Sequence, residues 1–352
     1  MTRRIIDMYF FVNDYSEGAH PKILEALVKT NYEQHPGYSE DEYCKEAKKL
    51  IKDHLKNEKS IVHFLVGGTQ TNATVISAVL RPHQGVISAV TGHINVHESG
   101  AIENTGHKVI ALPTDNGKIT AEQVRQTVKA HYEDETAEHM VQPKMVYISQ
   151  PTEIGTIYSK EELTALYNVC QEMNLILFAD GARLGCALTS DKNDVTLADM
   201  AALTDIFYIG GTKLGALFGE AVVINEPKYA EDFRYIIKQK GGLFAKGRLL
   251  GVQFKTFFED GLYFEIGKGE NACAQKLQRE IKNLGFDFLI ESPTNQIFPI
   301  FPNSLLEKLK ERFAYSFWQK IDDERSAIRL CTSWATTESK VDELVEYLKE
   351  IK

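Results

Sequence analysis

Short apolar runs alternate with helical segments between residues 60 and 225, and this alternation constrains the fold of the 352-residue chain more than any other feature. The runs are rich in β-branched and other apolar residues, and helical patterns such as KEELTALYNVCQEM lie between them. This pattern is typical of a mainly parallel sheet with helices on both faces, so the chain is predicted to be an α/β protein. The predicted strands are IVHFLV, GVISAV, HKVIAL, KMVYIS, LILFAD, DIFYIG and EAVVIN.

The last hundred or so residues have a different pattern. Strand-like NQIFPIF and AIRLCTS lie among helical segments, the last of which is ESKVDELVEYLKEIK. We therefore expect a large domain over residues 1–250 and a smaller α+β domain over residues 251–352. The N-terminal segment is expected to pack with the small domain.

The composition favours small-molecule chemistry in the cytoplasm. A net charge of −9 argues against a nucleic-acid surface, which needs clustered Lys and Arg. The five cysteines are scattered without a CxxC pair, so neither a disulfide framework nor a zinc site is predicted, and no metal is expected.

The opening residues and the apolar runs predict no contact with a membrane. Residues 1–18 place two arginines before apolar residues, but Asp7 and Asn13 interrupt the run and no cleavage pattern follows. No segment approaches the about 20 apolar residues that a membrane span needs.

Polar clusters follow three of the predicted strands, where ligands bind in open α/β sheets. VGGTQTN, residues 66–72, places glycines and hydroxyls at a helix start, whose backbone amides can hold a phosphate. Taken alone, this cluster is also explained by a plain strand-to-helix turn. It is neither a GxGxxG fingerprint nor a Walker loop, which disfavours a nicotinamide-binding oxidoreductase.

The other two clusters, DGARLG and GGTKLG, contain an acid and a lysine. Asp180 ends the apolar run LILFA, where it can cap a helix, pair with Arg183 or keep a pyridine nitrogen protonated. Lys213 lies in a glycine-lined turn after DIFYI, from which a lysine can reach a cofactor aldehyde. The order of phosphate turn, acid and lysine favours the cofactor interpretation of all three.

Five segments together carry a family resemblance: FVNDYSEGAHPKIL, GGTQTN, GHINVHESGA, FADGARLG and GGTKLGA. With them the chain resembles the threonine aldolases of the β-eliminating lyase superfamily, which are fold-type-I enzymes dependent on pyridoxal 5'-phosphate. The resemblance implies a fold-type-I transferase-like fold. It also implies retro-aldol cleavage of β-hydroxy-α-amino acids, such as threonine, to glycine and an aldehyde.

The resemblance implies roles for particular residues. Lys213 would bind the cofactor covalently as a Schiff base, Asp180 would hold its pyridinium nitrogen, and His93 would stack on its ring; these three are the predicted catalytic residues. The predicted cofactor and substrate contacts are Gly68, Thr69 and Thr212 for the phosphate, Gln70 as a further cofactor contact, Arg183 for both cofactor and substrate, and Arg329 and Asn13 for the substrate carboxylate.

Two segments depart from the family pattern. SQPTEIGTIYS has Thr152 and Glu153 where many relatives have an Asn-Thr-His segment, so the base for the β-hydroxyl is left open between His93, His97 and a water. The sequence does not decide which of the neighbouring Glu98, His97 and His107 takes part in the site. KGGLFAKGR leaves the basic phosphate ligand open among three candidates: Lys240, Lys246 and Arg248.

Other reactions and the assembly also remain as alternatives at this point. β-Elimination and transamination use the same cofactor chemistry, and a nicotinamide-dependent oxidoreductase is the remote alternative. The resemblance implies a homodimer or homotetramer with sites at the dimer interface, where Tyr38 and KGGLFAKG would reach the neighbouring subunit.

Overall fold

The computed structural model describes residues 8–352. The opening arginines and Asp7, which were used to judge whether the chain begins with a signal peptide, lie outside the described residues. The strands in chain order are β1 (Tyr9–Phe10), β2 (Ile61–Leu65), β3 (Gln84–Ala89), β4 (Val109–Leu112), β5 (Gln142–Ser149), β6 (Ile176–Asp180), β7 (Ile206–Gly210), β8 (Glu220–Ile224), β9 (Gln296–Ile297), β10 (Ile300–Pro302), β11 (Phe313–Ala314), β12 (Ser316–Lys320) and β13 (Arg325–Cys331).

The described residues also form helices. They are α1 (Pro21–Lys29), α2 (Glu42–Leu55), α3 (Gly68–Val79), α4 (His93–Val96), α5 (Ala121–Glu133), α6 (Lys160–Glu172), α7 (Leu184–Leu188), α8 (Leu197–Ala202), α9 (Phe233–Gln239), α10 (Arg248–Glu259), α11 (Leu262–Asn283), α12 (Asn303–Leu309) and α13 (Glu338–Ile351).

The central sheet has the order β2-β8-β7-β6-β5-β3-β4. Strand β8 runs antiparallel to both of its neighbours, and the other paired strands are parallel. Strands β3, β6, β7 and β8 are buried along their whole length, which explains why their sequences are mostly continuous apolar runs. Each of the seven predicted runs forms one strand of this sheet, so the α/β prediction is confirmed.

Local signals set the helix starts. Thr120 and Ser159 form capping boxes with Gln123 and Glu162, and these pairs begin α5 and α6. Pro21 occupies the first position of α1, where its missing N–H costs nothing. The sequence did not predict α10, the first turns of α11 or strand β12, because glycines interrupt both helices and SFWQK, which has no buried residue, lacks an apolar run.

A second sheet is built from β10, β13 and β12, with β9 also pairing with β13. Strand β1 pairs in parallel with β11, so the N-terminal segment lies against this C-terminal part of the chain. Phe11 is completely buried in its core, among side chains of α11, α12 and α13. The boundary between residues 250 and 251 stays a prediction.

In residues 8–352, no helix is both long and apolar enough to cross a membrane. The five cysteines all lie in this part of the chain, and each is buried and free.

Helix α11 joins the two parts by packing against α7. A Cβ placed on Gly267 of α11 would lie 2.5 Å from the carbonyl oxygen of Gly185 in α7, so only glycine permits this approach. Because α7 directly follows Arg183, the close contact fixes the position of that arginine relative to the small sheet.

Gly267→Ala is expected to lower the free energy of unfolding by about 1–3 kcal/mol, because the added methyl group meets backbone. Gly269→Ala is the matched control on the same helix, where nothing lies within 4 Å of the added Cβ. That variant is expected to gain about 0.5–1 kcal/mol from helix propensity. Urea unfolding of both proteins tests the packing, and equal effects of the two substitutions would contradict it.

Candidate active site

The carboxyl ends of the parallel strands place polar groups along one edge of the central sheet. Asp180, the last residue of β6, is in register with Ser149, the last residue of β5. Glu220 is in register with Gly210 and Leu65, which end the strands on either side of it. The turns after β2, β3, β5, β6 and β7 therefore meet at this edge.

The Asp180 carboxylate is buried among hydrogen-bond donors. The Tyr147 hydroxyl donates to Oδ2 at 2.5 Å, Asn72 Nδ2 to the same oxygen at 3.2 Å, and the Ala182 N–H to Oδ1 at 3.0 Å. Burial alone would raise the pKa of Asp180, but nearby His93 and the donated hydrogen bonds outweigh it and leave the pKa lowered. The group is thus held as an anion.

A polar chain connects Asp180 to His93. Asn72 Nδ2 also donates to Glu98 Oε1 at 2.7 Å, and the same oxygen lies 2.8 Å from His93 Nδ1. The Glu98 side chain is buried, whereas the imidazole is partly exposed at the start of α4. His93 is therefore oriented by a buried carboxylate. His107 lies apart, with Nδ1 bonded to the backbone carbonyl of Gln84.

Lys213 lies in the turn after β7. Gly215 has φ +89°, and a Cβ on Gly210 would lie 2.3 Å from the Ala182 carbonyl oxygen, so glycines allow the tight path. Burial and the charge of Arg183 lower the pKa of Lys213 against the opposing carboxylates of the site. Its ammonium forms no hydrogen bond or ion pair with another described residue, which leaves a lysine with nucleophilic character.

Glu220 was not predicted as a site residue. Its Oε1 accepts from Thr212 Oγ1 at 3.0 Å and its Oε2 from the Gly211 N–H at 3.2 Å. Burial raises the pKa of Glu220 to about 8, in spite of the opposing effect of Lys213. The contacts brace the turn that carries the lysine.

The predicted phosphate residues begin α3. Gly68 and Thr69 form the first turn after a Gly67 N-cap, and a Cβ on Gly68 would lie 3.1 Å from the Tyr208 hydroxyl. The Gln70 side chain instead bonds to neighbouring backbone. Its Oε1 accepts from the Val66 N–H, and its Nε2 donates to the carbonyl oxygen of Lys240.

Among the remaining phosphate candidates, the side chains of Thr212 and Arg248 bond to other groups of the chain. The Thr212 hydroxyl donates to Glu220 and accepts from the Gly219 N–H at 3.0 Å, so both of its roles are used. Arg248 Nη1 bonds Thr30 Oγ1 at 3.3 Å. Lys240 is joined to Gln70 through its carbonyl oxygen, and Lys246 is exposed.

Arg183 is held by Asp14. Its Nε and Nη2 donate to the two carboxylate oxygens at 2.5 and 3.0 Å, and Asn295 Nδ2 donates to Oδ2 at 3.0 Å. Burial would raise the pKa of Asp14, but the Arg183 and Lys213 cations leave it lowered. The two-point contact fixes the guanidinium plane.

Arg329 of β13 approaches from the small sheet. Its Nη2 donates to the Val12 carbonyl at 3.0 Å and its Nη1 to Gln296 Oε1 at 3.2 Å, while its Nε has no partner among the described residues. Asn13, the neighbour of Val12, accepts through Oδ1 from the Tyr15 N–H at 2.9 Å. Arg329 and Asn13 therefore meet at the N-terminal segment.

Arg329 also lines a cavity of about 480 Å³ beside this edge. Its walls carry His97 and Glu153, with Phe317 and Trp318 supplying aromatic surface. Burial and the nearby His93, Arg329, Lys213 and Arg183 lower the pKa of His97. The cavity joins the small sheet to the polar edge.

The amino-acid sequence matches a protein-family model described as "Beta-eliminating lyase" over residues 14–301. A solved structure of a threonine aldolase from Leishmania major is 45% identical, with a TM-score of 0.95, over 97% of this chain and 99% of that one. A low specificity L-threonine aldolase from Pseudomonas sp. is 29% identical over 97% of each chain.

A Thermus thermophilus aspartate aminotransferase is only 15% identical but has a TM-score of 0.71 over 99% of this chain and 92% of that one, which supports the fold-type-I prediction. The match to the family model and the Leishmania likeness decide the family. The chain belongs to the β-eliminating lyases, a pyridoxal-phosphate-dependent family, and within them to the threonine aldolases.

Proposed function

We propose that this protein is a pyridoxal-phosphate-dependent lyase that cleaves threonine and related β-hydroxy-α-amino acids to glycine and an aldehyde. The observation that carries the proposal is the pairing of a lysine without a partner, Lys213, with an anion held in place, Asp180, at one sheet edge. The relatives described as threonine aldolases support the choice of reaction.

The groups at the sheet edge fit this cofactor. The side-chain oxygens of Thr71 and Asn72 are buried without a partner among the described residues. Such groups are costly unless a ligand or water satisfies them. They surround Asp180 and the start of α3, where a phosphate and a pyridine nitrogen need donors and an anion.

Residues of the chain would hold the cofactor at three points. Lys213 would bind its aldehyde, Asp180 its ring nitrogen, and the backbone amides of Gly68 and Thr69 its phosphate. His93 would lie against the ring, oriented by Glu98. When bound, pyridoxal phosphate supplies a conjugated ring that accepts the electron pair of the broken Cα–Cβ bond.

Two arginines would bind the substrate carboxylate. Asp14 occupies the Nε edge of Arg183, which leaves Nη1 as the group free to bind the substrate. Arg329 lines the cavity beside the sheet edge, and Asn13 lies on the adjoining segment. Two-point binding of the carboxylate would fix the rotation of the substrate about Cα.

We also propose a homodimer or a dimer of dimers in which the active site lies beside the interface. Helix α1 exposes apolar side chains, with Val28 at 74% and Leu24 at 42% exposure, and Tyr32 just beyond it is 95% exposed. Leu217, which follows the Lys213 turn, shares a cavity of about 450 Å³ with Val28. An apolar surface of this kind marks an interaction site, and its continuity with the lysine turn favours a second copy.

Tyr38 and residues 240–247 adjoin the same side of the molecule. The Tyr38 N–H donates to the Ala245 carbonyl at 3.2 Å, and Lys238 Nζ lies 4.7 Å from the Tyr38 ring centre. We propose that this pair of segments reaches the neighbouring subunit and that Lys240 or Lys246 supplies a cation to its phosphate.

A cytoplasmic location is supported by the five free cysteines.

Lys213→Ala is expected to lower glycine release from L-threonine more than about a hundredfold, the scale of losing one positioned acid–base group. Lys192→Ala, at an exposed lysine, is the control and keeps the parent rate. The assay measures glycine and acetaldehyde together with pyruvate, so it separates aldol cleavage from β-elimination. Unchanged glycine release in the Lys213 variant, or pyruvate as the main product of the parent, contradicts the proposal.

Asp180→Asn is expected to cost about 2–5 kcal/mol of transition-state stabilisation, or roughly 30-fold to several thousandfold in kcat, because the amide carries no charge for the ring nitrogen. Asp205→Asn applies the same change to another buried carboxylate, which bonds the Leu177 N–H at 2.7 Å on the opposite edge of the sheet. Its kcat is expected to stay within about twofold. Equal losses in the two variants would mean that Asp180 acts only through stability.

Val28→Glu is expected to convert the oligomer to smaller species, because the charge would be buried in the proposed interface. Met140→Glu puts the same group on another exposed apolar residue, 43% exposed near the start of β5, and is expected to leave the assembly intact. Analytical ultracentrifugation measures both. A Val28 variant with the parent mass would show that this surface is not the interface.

A further inference from the structure

Glu153 lies on the loop after β5 with one carboxylate oxygen anchored. Its Oε1 accepts from the His93 N–H at 2.9 Å and from Ser149 Oγ at 2.6 Å. Its Oε2 forms no hydrogen bond with a described residue, and it is not among the buried atoms that lack a partner. The carboxyl group is therefore held from one side and open on the other.

The open side borders the cavity that Arg329 lines. Glu153 and His97 share its wall, with Ser316 and Trp318 on the side of the small sheet. A substrate whose carboxylate is bound by Arg329 would place its Cβ substituents within this cavity. Glu153 is the carboxyl group that faces them.

The charges around Glu153 suit proton transfer. Burial raises its pKa, Asp180 adds to the effect, and His93 and the Ser149 hydrogen bond oppose it. Arg329 and His97 line the same cavity as Glu153. A carboxyl group whose pKa moves toward neutrality is a better proton acceptor in an enzyme than an ordinary surface carboxylate.

The two histidines that the sequence left open are less suited to this role. His93 uses Nδ1 on Glu98, and it is not among the residues that line the cavity. Burial and the neighbouring His93, Arg329, Lys213 and Arg183 lower the pKa of His97, which makes it a weaker base. Of these three residues, Glu153 alone combines a fixed position with a free acceptor atom at the cavity.

We propose that Glu153 is the catalytic base that removes the proton of the substrate β-hydroxyl group, an inference that rests on the proposed aldol cleavage. The proton moves to Oε2, the O–H electron pair becomes the second C–O bond of the aldehyde, and the Cα–Cβ pair remains with the carbon that becomes glycine. Cα then takes up one proton, which Glu153 can return, so the carboxylate is regenerated and no oxidant or reductant is needed.

The substitution Glu153→Gln tests the base while keeping the shape and the acceptor for the His93 N–H. We expect kcat for L-threonine cleavage to fall about 10²- to 10⁴-fold with little change in KM. In the parent, activity falls as the pH drops through the raised pKa of Glu153, because a protonated carboxyl group accepts no proton. The variant should lose this acid limb. Glu161→Gln, at an exposed position of α6, is the matched control.

Two measurements that need no turnover distinguish a catalytic base at Glu153 from a residue that only supports the structure of the site. The dissociation constant of L-2-aminobutyrate, which lacks the hydroxyl group, should be the same in parent and variant by calorimetry. Difference infrared spectra should show a titrating carboxyl band that is absent only from the Glu153 variant.

A variant with the parent kcat and acid limb overturns the inference, as does one that loses 2-aminobutyrate binding in step with kcat. Either result leaves the proposed function standing. A parent enzyme that releases no glycine from any β-hydroxy amino acid would overturn the proposed function itself.

Discussion

Asp180 carries a negative charge at the edge of the central sheet, where only 4% of the residue is exposed, and groups from three separate elements donate hydrogen bonds to it. An ionised carboxylate at this depth is stable only when such donors and nearby cations replace water. Asn72 extends the arrangement to Glu98 and thereby to His93. The position of the imidazole is therefore a consequence of how one buried charge is satisfied.

The sequence predicted those site residues that follow parallel strands, because an apolar run reveals where a strand ends. Asp180 and Lys213 were found in this way. Glu220 was missed since β8 is antiparallel, so its first residue, rather than its last, reaches the active edge. A polar residue directly before an apolar run is the signal that would have found it.

Other site residues depend on contacts between distant segments. Asp14 lies 169 positions from Arg183, and nothing in either segment predicts their two-point ion pair. The same holds for the Val12 carbonyl that receives Arg329 of β13. The N-terminal segment thus joins the two arginines, which explains how a short stretch outside both sheets can set the distance between them. The hydrogen bond from Thr212 to Glu220 could not be predicted from the sequence either, because it depends on the antiparallel register of β7 and β8.

Lys213 is the lysine that we propose as the nucleophile binding the cofactor at this edge. Borohydride reduction of the purified protein with pyridoxal phosphate, followed by proteolysis and mass spectrometry, tests this proposal most directly. A single modified peptide is expected, with the added mass on Lys213. Modification confined to an exposed lysine such as Lys246, or none at all, would contradict it.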